Sequence, residues 1–184
     1  MKQKAIFLDR DGTIIKEKHF LSNPEEVELE KTVVEALKKL KAAGFMLIMV
    51  TNQSGIARGY FKVSQFLAVQ SRLLDQLKEH ELDFAEFYYC PHHPTKGKGK
   101  FLKKCTCRKP APGMLYKGIR KFNIDPSKSF MIGDRQGDID AGHNAGMKSI
   151  LVKTGYGEKA ATQKTCRPDF TAETLRDAVD YILK

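Results

Sequence analysis

Short apolar runs alternate along this chain with longer stretches of helical periodicity. Residues 5–8, 45–50 and 149–152 are nearly continuous apolar segments, the pattern of strands buried on both faces. Val33, Val34, Leu37, Leu40 and Ala43 recur at spacings of three and four, and Gly44 follows, so a helix with a glycine stop is predicted there. A second helix is predicted from Ser64, a good N-cap, with Phe66, Val69, Leu73, Leu74 and Leu77 facing inward. Residues 84–89 read as a third strand. Pro112 opens a helix that carries Leu115, Ile119 and Phe122. Residues 129–132 read as a fourth strand, 138–146 as a short helix closed by Gly146, and 169–171 as a sixth strand. A last helix carries Leu175, Ala178, Val179 and Ile182. Strands alternating with helices predict an α/β fold, a doubly wound, mostly parallel sheet. With no internal repeat and no linker-like stretch, residues 1–184 read as one domain.

The polar residues that interrupt this pattern fall at strand ends. Asp9, Thr51 and Asp134 each close an apolar run, and open parallel sheets bind ligands outside the carboxyl ends of their strands. Asp9 and Asp11 lie two apart and share a face if the strand continues. Like charges that close repel unless a cation separates them or one carboxylate stays protonated. Asp9, at the tip, is the candidate nucleophile; a carboxylate attacking phosphorus forms an aspartyl-phosphate. Asp11 is placed to protonate the leaving alcohol and then to deprotonate water. Mg²⁺ suits Asp9, Asp11 (through its backbone carbonyl) and Asp134. Thr51, Asn52, Gln53 and Ser54 offer donors to phosphoryl oxygens, and Lys109 a neutralising charge.

Composition narrows the partners. The 184 residues carry a net charge of +10, read as a lysine-rich surface that also steers anionic substrates. Lys96, Lys98, Lys100, Lys103 and Lys104 cluster around Gly97 and Gly99, a solvated loop. Charge apart, nothing points to nucleic acid. No apolar run approaches the roughly 20 residues of a membrane helix, and the N-terminus lacks a signal-peptide pattern. A cytoplasmic monomer without membrane or nucleic-acid partners is expected.

Asp9-Arg10-Asp11-Gly12-Thr13, Thr51-Asn52-Gln53, Lys109, and Gly133-Asp134 with Asp138 resemble the four motifs of the haloacid dehalogenase-like phosphatases, in that family's order and spacing. The resemblance implies Asp9 as nucleophile, Asp11 as acid/base, Thr51 and Lys109 as phosphoryl stabilisers and Asp134 as a Mg²⁺ ligand. Asp138 either orients the metal shell or caps the helix that follows.

The cysteines add a second metal. Cys90, His92, Cys105 and Cys107 form two pairs, each spaced i, i+2, flanking the Lys/Gly loop. Three thiols and one imidazole make a closed structural Zn²⁺ set within 90–107, with His93 an alternative ligand; a cytosolic chain keeps thiols reduced, which disfavours disulfides. Cys166 stands alone. Because Arg108 and Lys109 follow Cys107 directly, the metal would aim both cations at the phosphate.

Cys90-Pro91-His92-His93-Pro94, Cys105-Thr106-Cys107-Arg108-Lys109-Pro110 and the run Thr51 to Gly59 resemble a narrower group, the D-glycero-D-manno-heptose 1,7-bisphosphate 7-phosphatases and the related histidinol-phosphate phosphatases, both without a large cap domain. The resemblance implies a small phosphorylated sugar as substrate, cleavage of its 7-phosphate, and a place in nucleotide-heptose and lipopolysaccharide core synthesis, with histidinol phosphate as the alternative. It implies substrate contacts from Glu17, Lys18, His19 and Phe20, from Asn52, Gln53 and Ser54, and from Arg108 and Arg135; Arg10 is grouped with them. The basic character of 16–19 departs from the group's pattern. A polynucleotide 3′-phosphatase is disfavoured by the compact length and the cysteine loop. A receiver domain, also phosphorylated on aspartate, is disfavoured by Asp11, which promotes hydrolysis.

Overall fold

A computed structural model describes residues 2–184. Six strands form one sheet: β1 (Ala5–Leu8), β2 (Met46–Asn52), β3 (Glu86–Cys90), β4 (Phe130–Gly133), β5 (Lys148–Val152) and β6 (Phe170–Ala172). Their order is β3-β2-β1-β4-β5-β6, and every pairing is parallel. Successive strands step one way from β1 to β3 and the other way from β4 to β6. The switch therefore lies between β1 and β4, where such sheets open a crevice at their carboxyl ends.

Seven helices cover the two faces: α1 (Val33–Ala42), α2 (Ser54–Arg58), α3 (Val63–Lys78), α4 (Gly113–Phe122), α5 (Gln136–Asn144), α6 (Gly157–Ala161) and α7 (Leu175–Ile182). The alternation of β1 decides which residues go where. Ile6 and Leu8 pack with Leu37, Leu40, Val69, Leu73 and Val179, from α1, α3 and α7. Ala5 and Phe7 pack on the other side with Met114, Leu115 and Ala141, from α4 and α5. All four β1 residues are buried, which explains why the run shows no polar alternation. Among the described residues, no helix is long and apolar enough to cross a membrane.

Several predicted boundaries shift. The third strand lies at 86–90 rather than 84–89 because register with β2 decides its span: Ile48 stands beside Glu86 and Asn52 beside Cys90. The second long helix starts at Val63, with Lys62 rather than Ser64 as its cap. The Lys62 N–H donates to Gln65 Oε1 at 2.9 Å. The helix expected at 138–146 runs from Gln136 to Asn144. The short α2 and α6 carry no periodic signal and are not foreseen.

Close packing of α5 on the sheet depends on Gly142. A Cβ there would stand 2.1 Å from Ser149 Oγ and 2.6 Å from Met131 Cβ. Gly142→Ala is expected to destabilise the fold by about 1–3 kcal/mol despite its better helix propensity, read as a lower midpoint in urea denaturation.

Candidate active site

The crevice is built where β1 and β4 end side by side. The Asp9 N–H donates to Ile132 O at 2.9 Å, extending the β1–β4 ladder by one residue. Asp9, Asp134 and Asp138 are all buried, and one oxygen from each lies within 4.8 Å of the others. The turn between them needs a glycine at Gly12, which has φ +82°; a Cβ there would meet Asp134 Oδ2 at 2.3 Å. Lys109 enters from the long loop after β3 and is itself buried. Its Nζ donates to Asp9 Oδ1 at 2.6 Å and Val50 O at 2.7 Å, and stands 2.6 Å from Asp138 Oδ1. Asn52 holds its backbone: Asn52 Nδ2 donates to Lys109 O at 3.0 Å, and Lys109 N–H to Asn52 Oδ1 at 3.1 Å. Of the two roles set out for Asp138, the structure shows the cap: its Oδ2 accepts the Arg135 N–H at 3.0 Å at the start of α5.

Three buried carboxylates face one buried ammonium, so negative charge is in excess. Burial pushes Asp9 up to about 7, Lys109 pulling against it and Asp138 and Asp11 adding to it. Burial, then Asp9 and Asp138, push Asp134 up to about 8. Burial works against the Lys109 charge, yet Asp138 and Asp9 outweigh it and hold its pKa above the usual lysine value. Asp134 Oδ2 accepts the Tyr156 N–H at 2.7 Å, while its buried Oδ1 has no hydrogen-bond partner; the Arg135 Nε is 3.8 Å away. Surplus carboxylate charge and an orphaned oxygen are what a hard divalent cation would satisfy. Asp9 and Asp134, with Asp138 beside them, are the residues that could hold it.

Asp11 is treated differently. Its carboxylate points out of this cluster and accepts from Arg10 Nε at 3.1 Å, Arg10 Nη2 at 2.8 Å and Gln53 Nε2 at 2.8 Å. Its side chain therefore does not join Asp9 and Asp134 around one ion. Arg10 is fully buried and lies over the Phe66 ring, 5.2 Å from its centre. It stands behind Asp11 and not among the cleft residues Asn52, Gln53, Ser54, Arg108 and Arg135 with which its motif groups it. Lys18 is also outside the cleft, 3.4 Å from Glu28.

The cleft itself encloses about 370 Å³. Asp9, Asp11, Thr51 and Lys109 reach it, as do Asn52, Gln53 and Ser54. Glu17, His19, Phe20, Arg108 and Arg135 form its walls. One wall is a linked set. Arg135 Nη2 lies 3.0 Å from Glu17 Oε2 and its guanidinium 3.8 Å from the centre of the Tyr156 ring. The Tyr156 hydroxyl contacts His19 Nδ1 at 2.5 Å, and the His19 N–H donates to Glu17 Oε1 at 2.8 Å. Next to His19, Phe20 meets Tyr60 edge-on at 4.7 Å between ring centres. Tyr156 and Arg58 line the cleft without having been singled out from the sequence. Arg58 could have been found one helical turn beyond Ser54; nothing in the sequence flags Tyr156.

The four predicted sulfur and imidazole groups converge at the end of β3. Sγ–Sγ distances are 3.6 Å (Cys90–Cys105), 3.2 Å (Cys90–Cys107) and 3.3 Å (Cys105–Cys107). His92 Nδ1 lies 3.7 Å from Cys90 Sγ and 3.4 Å from Cys107 Sγ. Those are roughly the edges of a tetrahedron around an ion about 2.3 Å from each sulfur, so the cluster could hold a metal. His93 stays out of it, its Nδ1 accepting the N–H groups of Thr95 at 3.2 Å and Lys96 at 2.8 Å. Arg108 Nη1 donates to His92 O at 3.3 Å, tying one cleft cation to the cluster. Cys166 lies elsewhere, against Ile139, Leu151 and Ala160.

Comparison with known proteins agrees with this geometry. A family model described as HAD-hydrolase-like matches residues 106–178. The D-glycero-β-D-manno-heptose-1,7-bisphosphate 7-phosphatase of Pasteurella multocida is 48% identical over 83% of both chains. The protein of that name from Haemophilus ducreyi is 40% identical over 99% of this chain and all of its own. The chain belongs to the heptose-bisphosphate phosphatase family. The D,D-heptose 1,7-bisphosphate phosphatase of B. bronchiseptica, solved with magnesium and phosphate, superposes with a TM-score of 0.87 at 30% identity over 98% of each chain. Like other members of this family, the protein is a phosphoric monoester hydrolase.

The charge excess has a measurable consequence. A carboxylate whose pKa rises on folding binds more protons in the folded state, so the stability it contributes falls as pH climbs from about 4 to about 8. Asp134→Asn removes that penalty. In buffer free of divalent cations its Tm is expected to exceed that of the parent by roughly 2–6 °C at pH 8, with a smaller gap at pH 6, by thermal unfolding at both pH values.

Proposed function

We propose that this protein hydrolyses the 7-phosphate of D-glycero-D-manno-heptose 1,7-bisphosphate through an aspartyl-phosphate on Asp9, with Mg²⁺ at Asp9 and Asp134 and Zn²⁺ at Cys90, His92, Cys105 and Cys107. The substrate rests on the relatives of 40–48% identity that carry that activity in their names. The chemistry rests on one observation: two aspartates two positions apart stand in opposite environments, Asp9 in the buried cluster and Asp11 outside it at the cleft.

In the first step an Asp9 oxygen attacks phosphorus, the bond to the sugar oxygen breaks, and Asp11 gives that oxygen its proton. In the second, Asp11 takes a proton from water as the water oxygen attacks phosphorus, releasing inorganic phosphate and free Asp9. Asp11 accepts hydrogen bonds from Arg10, Gln53 and the Thr51 hydroxyl, which is its role in the second step. To act in the first it turns from Arg10 toward the leaving oxygen. Thr51 Oγ1, which accepts from Gln53 Nε2 at 2.9 Å, and the Lys109 ammonium are set to meet the phosphoryl oxygens. A bound Mg²⁺ would supply charge neutralisation for the phosphoryl group and relieve repulsion among the carboxylates.

Asp9→Asn is expected to lower phosphate release from the bisphosphate by at least about a thousandfold while leaving the circular dichroism spectrum unchanged. Wild-type kcat/KM is expected to favour heptose 1,7-bisphosphate over histidinol phosphate by tenfold or more; the reverse order would assign the protein to the histidine-synthesis branch.

The cysteine cluster has four protein donors and no open position, which fits a structural ion. Through Arg108 and Lys109 it fixes the loop that delivers two cleft cations. Cys107→Ser is expected to lose bound zinc, measured by elemental analysis, and to cut activity about 10–100-fold, while far-ultraviolet circular dichroism retains the signal of the sheet and its helices.

A further inference from the structure

Arg10 is a charged side chain sealed inside the protein, fully buried. A buried guanidinium is costly unless it is paired and hydrogen-bonded. The pairing here goes to one carboxylate. Arg10 Nε donates to Asp11 Oδ2 at 3.1 Å and Nη2 to Asp11 Oδ1 at 2.8 Å, a two-pronged grip. Nη1, also buried, has no hydrogen-bond partner among the described residues. An arginine acting as a pillar of the core would spread its donors over several elements. This one commits its fork to Asp11 and leaves a donor unsatisfied, a cost that stability alone does not explain. Its position is fixed at both ends. The guanidinium lies over Phe66, 5.2 Å from the ring centre, and Phe66 is buried against Ile56 and Phe61. The Arg10 carbonyl accepts the N–H groups of Ile14 at 2.9 Å and Ile15 at 3.0 Å, closing the turn after β1.

The grip makes the two Asp11 oxygens unequal. Oδ2 accepts from Arg10 Nε, from Gln53 Nε2 at 2.8 Å and from the Thr51 hydroxyl at 3.5 Å. Among the described residues Oδ1 accepts from Arg10 Nη2 alone. A carboxylate offers about four lone-pair sites, two on each oxygen. Three donors crowd Oδ2, so the free lone pair belongs to Oδ1. Asp11 lines the cleft and its side chain is 19% exposed, so water can reach that atom.

We propose that Arg10 is a positioning residue for the second half of the reaction: its fork turns Asp11 so that Oδ1 takes the proton of the attacking water. The water oxygen bonds to phosphorus, the bond from phosphorus to the Asp9 oxygen breaks, and the proton rests on Oδ1. The inference rests on the aspartyl-phosphate route proposed above. Forming that intermediate from an ester whose leaving group needs no proton does not call on Asp11. Arg10 therefore bears unequally on the two steps.

Acid quenching of the magnesium-loaded enzyme, given radiolabelled p-nitrophenyl phosphate and then an unlabelled chase, reads the rates at which phosphoenzyme forms and decays. In Arg10→Met, whose apolar chain still covers Phe66, decay is expected to slow roughly 10–100-fold while formation changes by less than about threefold. Arg10→Lys keeps the charge without the fork and is expected to slow decay by less than Arg10→Met; it also decides the matter if Arg10→Met does not fold. Decay unchanged in the folded variants, or formation and decay reduced in equal proportion as for a core pillar, overturns the role of Arg10 and leaves the aspartyl-phosphate route standing. Wild-type turnover with no labelled protein at any time overturns that route and the Arg10 role with it. Slowed decay in an enzyme that does not turn over heptose bisphosphate upholds the Arg10 role and overturns the substrate assignment.

Discussion

The site depends on the buried ammonium of Lys109. It stands between Asp9 and Asp138 and also donates to the Val50 carbonyl at the end of β2. One cation therefore joins the tips of β1, β2 and α5, three elements far apart in sequence. Burying it without partners would be prohibitive, and removing it would leave carboxylates buried together with nothing between them. Every other feature of the cleft is arranged around this constraint. Asn52 fixes the lysine backbone, Gly12 clears room for Asp134, and Asp138 divides its two oxygens between the lysine and the start of α5.

A site that leaves three carboxylates against one ammonium is incomplete by itself. The raised pKa values of Asp9 and Asp134 and the unpartnered Asp134 oxygen express the same deficit. Stability has been traded for a preorganised cation site, a common feature of catalytic centres. Asp11 lies outside this cluster and is paired from behind with Arg10, which packs over Phe66. Two chemically identical side chains two positions apart thereby stand in opposite surroundings, Asp9 inside the buried cluster and Asp11 outside it.

The loop after β3 connects the cysteine and histidine cluster to the cleft. It begins at Cys90, whose neighbour in the sheet is Asn52, and ends at Arg108 and Lys109. Along the way it clasps α2 through Ala57. Residues that would otherwise sit on a long mobile excursion are pinned at its start, middle and end, which is how a lysine on a loop can be placed as accurately as an aspartate on a strand.

Much of this was legible in the sequence. The uniformly apolar 5–8 run could only be a strand covered on both sides, and a carboxylate ending it had to stand at the sheet rim. The cysteine and histidine spacing marked a closed cluster because few other arrangements use three thiols and an imidazole so near one another. Boundaries such as that of β3 were not legible, since register with β2 sets them. Nor was the burial of Arg10, whose charge reads as a surface feature until Asp11 and Phe66 close around it. Arg58 and Tyr156 became cleft residues only when α2 and the segment after β5 folded toward the switch point. By itself the sequence determined which chemical groups are present and on which strand ends they stand, because local periodicity fixes the strands. Tertiary structure alone decided which carboxylates share a cation, which one stands apart, and which donors are left without acceptors. Those are properties of distance and burial between residues that the chain keeps far apart.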